Sequence, residues 1–138
     1  MRFIDSNLFI YALLKPKRRL TELEATMKRR AKEIISRIDA NENVITTVIH
    51  ISEILNILES HASYEYVVEV AERLFANDNI IIKSVMREDY LTSLELAKEY
   101  KIGINDGLAL LFMQKNKLHE IYTFDKHFDQ INGISRVT

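Results

Sequence analysis

FIDSNLFIYAL, residues 3–13, condenses a strand, a turn and a helix into eleven residues. Arg2-Phe3-Ile4 is short and bulky enough for a strand, and Asp5 stops it. Asp and Ser are favoured helix N-caps, so Asp5-Ser6 can open a short helix over residues 8–14. A carboxylate at the end of an apolar strand also invites a second reading. Apolar surroundings disfavour its charged form unless a partner or a metal compensates.

Outward from this stretch, short β-like runs alternate with helical patterns. Residues 2–5, 44–46, 80–83, 120–123 and 134–137 read as strands, rich in Ile, Val and Phe. Leu23, Met27, Ala31, Ile34, Ile35 and Ile38 recur at helical spacing. Thr46 or Thr47 caps a second long helix that runs to about Ser60. Further helices are expected over residues 66–75, from Arg87 to before Gly103 with Leu91, Leu94 and Ala97 inward, and from Asn105 or Asp106 to about Asn116. Alternation of this kind argues for a three-layer α/β/α domain around a mostly parallel sheet of four to five strands. No repeat, linker or low-complexity tract interrupts residues 1–138, which are expected to form one domain.

Composition narrows the function classes. An apolar fraction of 47% and a charged fraction of 28% fit an ordinary soluble domain rather than a disordered chain. Without cysteine there is no disulfide, thiolate nucleophile or thiolate-zinc site. The carboxylate of Asp5 arrives too early for a signal-peptide core, and no apolar run approaches the ~18 residues of a membrane span. A cytoplasmic location with no membrane partner is the expectation.

Three more acids share the setting of Asp5. Glu53 interrupts a helix carrying Val48, Ile49, Ile51, Ile54, Leu55, Ile57 and Leu58, apolar on most of its circumference. Asp106 precedes the apolar run 108–113, and Asp125 follows Ile121-Tyr122-Thr123-Phe124. Individually, Asp106 also reads as a cap or first-turn acid and Asp125 as a turn residue. Topology favours a shared role. In open α/β sheets ligands bind beyond the carboxyl ends of strands, where Asp5 and Asp125 both lie. Each close carboxylate pair costs about 4 kcal/mol at 4 Å and an effective dielectric near 20. Magnesium or manganese removes that repulsion, and all-oxygen ligation selects such hard cations.

These residues, in their order and context, resemble the PIN-domain ribonucleases. FIDSNLFIYAL is similar to the family's opening strand–turn–helix, with Asp5 as first acid and Asn7 two later. ISEIL resembles the helix of the second acid at Glu53, and GINDGLAL the third motif at Asp106. YTFDKHF resembles the closing motif, in which Thr123 precedes the fourth acid, Asp125. Gly107 departs from the family's usual Ala, at a cost in helix propensity. Asp129 offers another acid, so the fourth ligand is shared or shifted in one reading.

The resemblance implies divalent-metal-dependent hydrolysis of RNA. Asp5, Glu53 and Asp106 would hold the principal ion, with Asp125 completing the pocket or holding a second. Asn7, Thr123 and Asp129 would orient these ligands. The short form is most similar to toxin subunits of VapC type, which implies a small antitoxin partner and a homodimer. The alternatives are an RNA-processing nuclease that is no toxin, or an inactive PIN-like scaffold binding RNA or protein. A phosphoryl-accepting domain would want acids that stand elsewhere, and an absent Trp gives a glycosidase little support.

Charge is also segregated. Net charge is −1, but residues 15–37 hold nine basic and three acidic residues, leaving ten and seventeen elsewhere. Lys15, Lys17, Arg18, Arg19, Lys28, Arg29 and Lys32 are therefore candidates to hold RNA phosphates beside a negative pocket. A solvated helix face is the plainer reading of the same run. The four histidines lack zinc-protease spacing and are expected at the surface or in packing, His127 being the one worth testing.

Overall fold

Strands of three or four Ile-, Val- and Phe-rich residues build one sheet in the computed structural model, which describes residues 1–138. β1 (Arg2–Ile4), β2 (Val44–Thr47), β3 (Ile80–Lys83), β4 (Glu120–Tyr122) and β5 (Ser135–Val137) lie in the order β3-β2-β1-β4-β5. Every neighbouring pair is parallel. Phe3 stands opposite Ile45 on one side and Ile121 on the other. These three side chains enter one core cluster, while Ile4, Val44, Ile80 and Tyr122 enter another. The period of two thus feeds both faces of the sheet, as parallel sheets require.

Helices α1 (Ser6–Leu13), α2 (Glu22–Ala40), α3 (Val48–Glu59) and α4 (Tyr64–Ala76) supply the first cluster. α6 (Ile104–Lys115) supplies most of the second, with α5 (Arg87–Tyr100) outside it and a 3-10 turn (Lys126–Gln130) beside it. This is the expected three-layer α/β/α arrangement. Thr47 caps α3 by accepting from His50 N at 3.3 Å. Thr21 and Glu24 close a reciprocal capping box on α2. No helix is long and apolar enough to cross a membrane.

Two expected core leucines lie outside. Leu23 is 69% exposed because the apolar stripe of α2 is covered only from its middle, at Ala31, Ile34 and Ile38. Leu91 is 49% exposed; Ala97 is buried as expected, and Asp89 and Ser93 complete the inward face of α5. The cause is close helix approach. A Cβ placed on Gly107 of α6 would lie 2.4 Å from Ser93 O and 3.2 Å from Ala97 N. Only small residues fit along that seam, so Gly107 is a packing requirement that outweighs its poor helix propensity.

Strand order reverses at β1. The chain runs outward through β2 and β3, then returns to place β4 on the opposite side of β1. The carboxyl ends of β1 and β4 therefore flank a topological switch point, where α/β sheets open a crevice.

Candidate active site

Asp5 follows β1 directly, and its N–H still bonds Tyr122 O at 3.0 Å, so the sheet fixes its backbone. Its side chain caps α1: Oδ1 accepts from Ser6 N at 2.8 Å. Oδ2 accepts from the Thr123 hydroxyl at 2.7 Å. The cap reading and the site reading hold together here. The residue is only 5% exposed. Burial pushes its pKa up to about 7, the Thr123 bond opposes this, and Asp106 and Glu53 add repulsion.

Glu53 reaches the same place from the middle of α3. The Ser6 hydroxyl stands 3.4 Å from both Glu53 Oε1 and Asp5 Oδ1, one proton facing two carboxylates. Burial raises the pKa of Glu53, while Asn105 and Ser6 hold it down. Asn105 is itself oriented by the Tyr90 hydroxyl, which donates to its Oδ1. Asp106, in the first turn of α6, is raised to about 6 by burial and then by Asp125 and Glu53. Asp125 caps the 3-10 turn, accepting from His127 N at 2.9 Å. Carboxylate oxygens of Asp106 and Asp125 and a ring nitrogen of His127 lie within 4.8 Å of one another.

Thr123 is the hub. Its hydroxyl donates to Asp5, accepts from Asn7 Nδ2 at 3.2 Å and accepts from Asp125 N at 3.0 Å. Asn7 Oδ1 in turn accepts from Phe124 N at 3.3 Å. Four chain segments, each remote in sequence, thus bring Asp5, Glu53, Asp106 and Asp125 to one crevice. Carboxylates this close, two with pKa values near neutrality and no Lys or Arg bonded to any of the four, make a donor set suited to a hard dication.

Other candidates lie elsewhere. Asp129 is held by Arg136 through bonds of 3.0 and 3.1 Å. Lys28 donates to Tyr11 O at 3.0 Å and Leu14 O at 2.6 Å, satisfying carbonyls at the end of α1. Arg18 is forked onto Glu24 at 2.9 and 2.5 Å. Both contacts are made by the tertiary fold and are not visible in the sequence. Lys15 lies over the Tyr66 ring, 4.9 Å from its centroid. Lys17, Arg19, Arg29 and Lys32 are exposed. A groove of about 680 Å³ between the ends of α1 and α3 is rimmed by Lys15, Lys17 and Arg18. A second, of about 590 Å³, carries Arg29 and Lys32. His50 is buried, edge-on to Phe3, with Nδ1 2.7 Å from Thr47 Oγ1.

Sequence reasoning passed over Ser6 as more than a cap and Asn105 as more than a neighbour of Asp106. Both contribute through the third dimension, and only their adjacency to an acid hinted at it.

Comparison with known proteins adds the family. The PIN domain model matches residues 2–134. A toxin–antitoxin complex from Klebsiella pneumoniae superposes with a TM-score of 0.66 at 19% identity, covering 100% of this chain and 97% of that one. VapC20 of Mycobacterium tuberculosis, a sarcin-ricin loop cleaving toxin, gives 0.70 at 16%, covering 91% and 90%. VapBC2 from Rickettsia felis, bound to a DNA fragment from its promoter, gives 0.67 at 13%, covering 99% and 96%. At these identities the likeness is one of fold. No match was found among curated proteins.

Proposed function

The chain belongs to the PIN domain family, and from that premise we propose that it is a divalent-metal-dependent ribonuclease, the toxin subunit of a toxin–antitoxin pair. The observation that carries this reading is the meeting of Asp5, Glu53 and Asp106 at the switch point, where Ser6 donates to Asp5 and Glu53 and Thr123 donates to Asp5. Asp5, Glu53 and Asp106 would hold magnesium or manganese, with Asp125 completing the site. When bound, the cation supplies charge neutralisation at the phosphate and a more acidic water.

The chain's own groups do the positioning. Thr123 and Ser6 hold the Asp5 carboxylate from two sides, and Asn7 fixes the Thr123 hydroxyl. Asn105 restrains Glu53. Such outer partners set ligand orientation and keep the carboxylates available for a cation. Hydrolysis adds water across a P–O bond, leaving one phosphate monoester and one hydroxyl. Lys17, Arg19, Arg29 and Lys32 would hold flanking RNA phosphates. A small antitoxin and a second copy of the chain complete the set of partners, and the compartment is the cytoplasm. The toxin–antitoxin character of the structural neighbours supports the pairing.

The test is cleavage of end-labelled RNA by purified protein. Added magnesium or manganese is expected to give discrete products, and EDTA to abolish them. Binding of RNA without cleavage under any cation would favour the inactive scaffold.

A further inference from the structure

His50 lies in the first turn of α3, one turn before Glu53, and is only 1% exposed. Its ring stands edge-on to Phe3, with centroids 5.1 Å apart. Nδ1 is 2.7 Å from Thr47 Oγ1, which also accepts from His50 N. Thr47 is fully buried, and the ring is the acceptor its hydroxyl proton meets. A neutral ring carries one proton, so with Nδ1 accepting from Thr47 that proton stands on Nε2. His50 Nε2 is the one buried side-chain nitrogen or oxygen in the chain without a hydrogen-bond partner. Burial brings the pKa of the ring down to about 4, while the backbone of Asn105 works the other way. A backbone group that favours a proton on the ring is an acceptor, which makes it the Asn105 carbonyl. It stands near Nε2 without completing a well-formed bond.

We propose that His50 is a positioning residue, whose Nε2–H engages the Asn105 carbonyl and thereby sets the Asn105 side chain that restrains Glu53. The inference rests on the nuclease reading above and deepens it by adding a residue that acts on the site through another. Helix α6 needs such a hold. Its N-cap is Gly103, which supplies no side-chain cap, so tertiary contacts must place its first turn. Tyr90 holds the Asn105 side chain by donating to Oδ1, which leaves the Nδ2 protons for Glu53. His50 holds the same residue by its main chain. One helix therefore carries both ends of a relay, His50 at its start and Glu53 a turn later, with Asn105 of α6 bridging them. An unspent donor at this spot is explained by that task, since a buried polar atom with packing as its only role would cost stability for nothing.

The test begins with the full-length wild type, in which nitrogen-15 NMR of the ring is expected to place the proton on Nε2. That measurement needs no variant, so it decides even where a substitution at His50 fails to fold. His50→Gln puts an amide nitrogen near the place of Nε2, whereas His50→Asn reaches only that of Nδ1. Both lose the ring against Phe3 and should melt lower alike. Manganese affinity, by calorimetric titration, should part them: weaker by about tenfold or more in His50→Asn, and largely restored in His50→Gln. In an Asn105→Ala background, where the amide to Glu53 is gone, the two variants should bind manganese equally. A proton on Nδ1 in the wild type, or equal affinities of the two variants in the otherwise native chain, overturns the proposal and leaves the nuclease reading intact. No manganese binding by the wild type overturns both.

Discussion

The Thr123 hydroxyl donates a 2.7 Å hydrogen bond to Asp5 Oδ2, joining the ends of β4 and β1 across 118 positions of sequence. That bond spans the switch point of the sheet, and two further groups of the site depend on the same hydroxyl. Asn7 and Asp125 N both donate to the same hydroxyl. Removing it strands several buried groups at once.

Thr123→Val is therefore expected to destabilise the protein by about 1–3 kcal/mol, the usual cost of leaving a buried polar group unpaired. It should also weaken manganese binding by about tenfold or more. Thr123→Ser, which keeps the hydroxyl, should lose far less of either. Calorimetric titration and thermal melts measure the two effects; equal affinities for Val and Ser would remove Thr123 from the site's support.

The buried acids tie stability to pH. Asp5 rises from 3.8 to about 7 and Asp106 from 3.8 to about 6 on folding, chiefly through burial. The folded state therefore binds more protons between about pH 4 and 7, and its stability falls as pH rises through that window. For Asp5 alone the effect is on the order of a few kcal/mol. Metal-free protein should melt several degrees higher at pH 5 than at pH 8, and manganese should narrow the gap. Asp5→Asn should stabilise the metal-free protein at pH 8 and much less at pH 5. Identical melts at pH 8 would count against a crowded pocket.

Gly107→Ala reverses the ordinary expectation for a helix. Propensity alone favours Ala by roughly 1 kcal/mol. The added Cβ would lie 2.4 Å from Ser93 O, a backbone atom that cannot move without shifting α5. The variant should melt below the wild type by denaturant or heat; a higher melting point would show that α5 and α6 separate freely.

The basic segment divides by contact. Lys17, Arg19 and Lys32 are exposed, so replacing all three by Gln should weaken RNA binding. The log–log salt dependence should flatten by about 2 units, at about 0.7 per lost phosphate contact. Lys28→Gln should act differently, lowering stability because the carbonyls of Tyr11 and Leu14 lose their donor. An unchanged slope in the triple variant would make this segment a solvated face.

Alternation of strands and helices was legible because the strands are short, the central ones are apolar, and strong helical periods lie between them. The positions of Asp5 and Asp125 after strands pointed to the sheet edge for the same reason. Contacts between distant segments were not legible. Nothing local says that Arg18 forks onto Glu24, that Lys28 closes α1, or that Arg136 holds Asp129. Leu23 and Leu91 misled because periodicity marks a face without saying how far it is covered. Gly107 looked like a loss of propensity until the approach of α5 explained it.

Carboxylates from four segments are proposed to make one hydrolytic site. It is tested most directly by cleavage of one labelled RNA with manganese, comparing wild type with Asp5→Asn, Glu53→Gln and Asp106→Asn, each purified identically and verified as folded. Cleavage by the wild type and a loss of about a thousandfold or more in each variant are expected, on the scale of removing a main electrostatic contributor to a transition state. Equal cleavage by wild type and all three variants, or none by any, would contradict it.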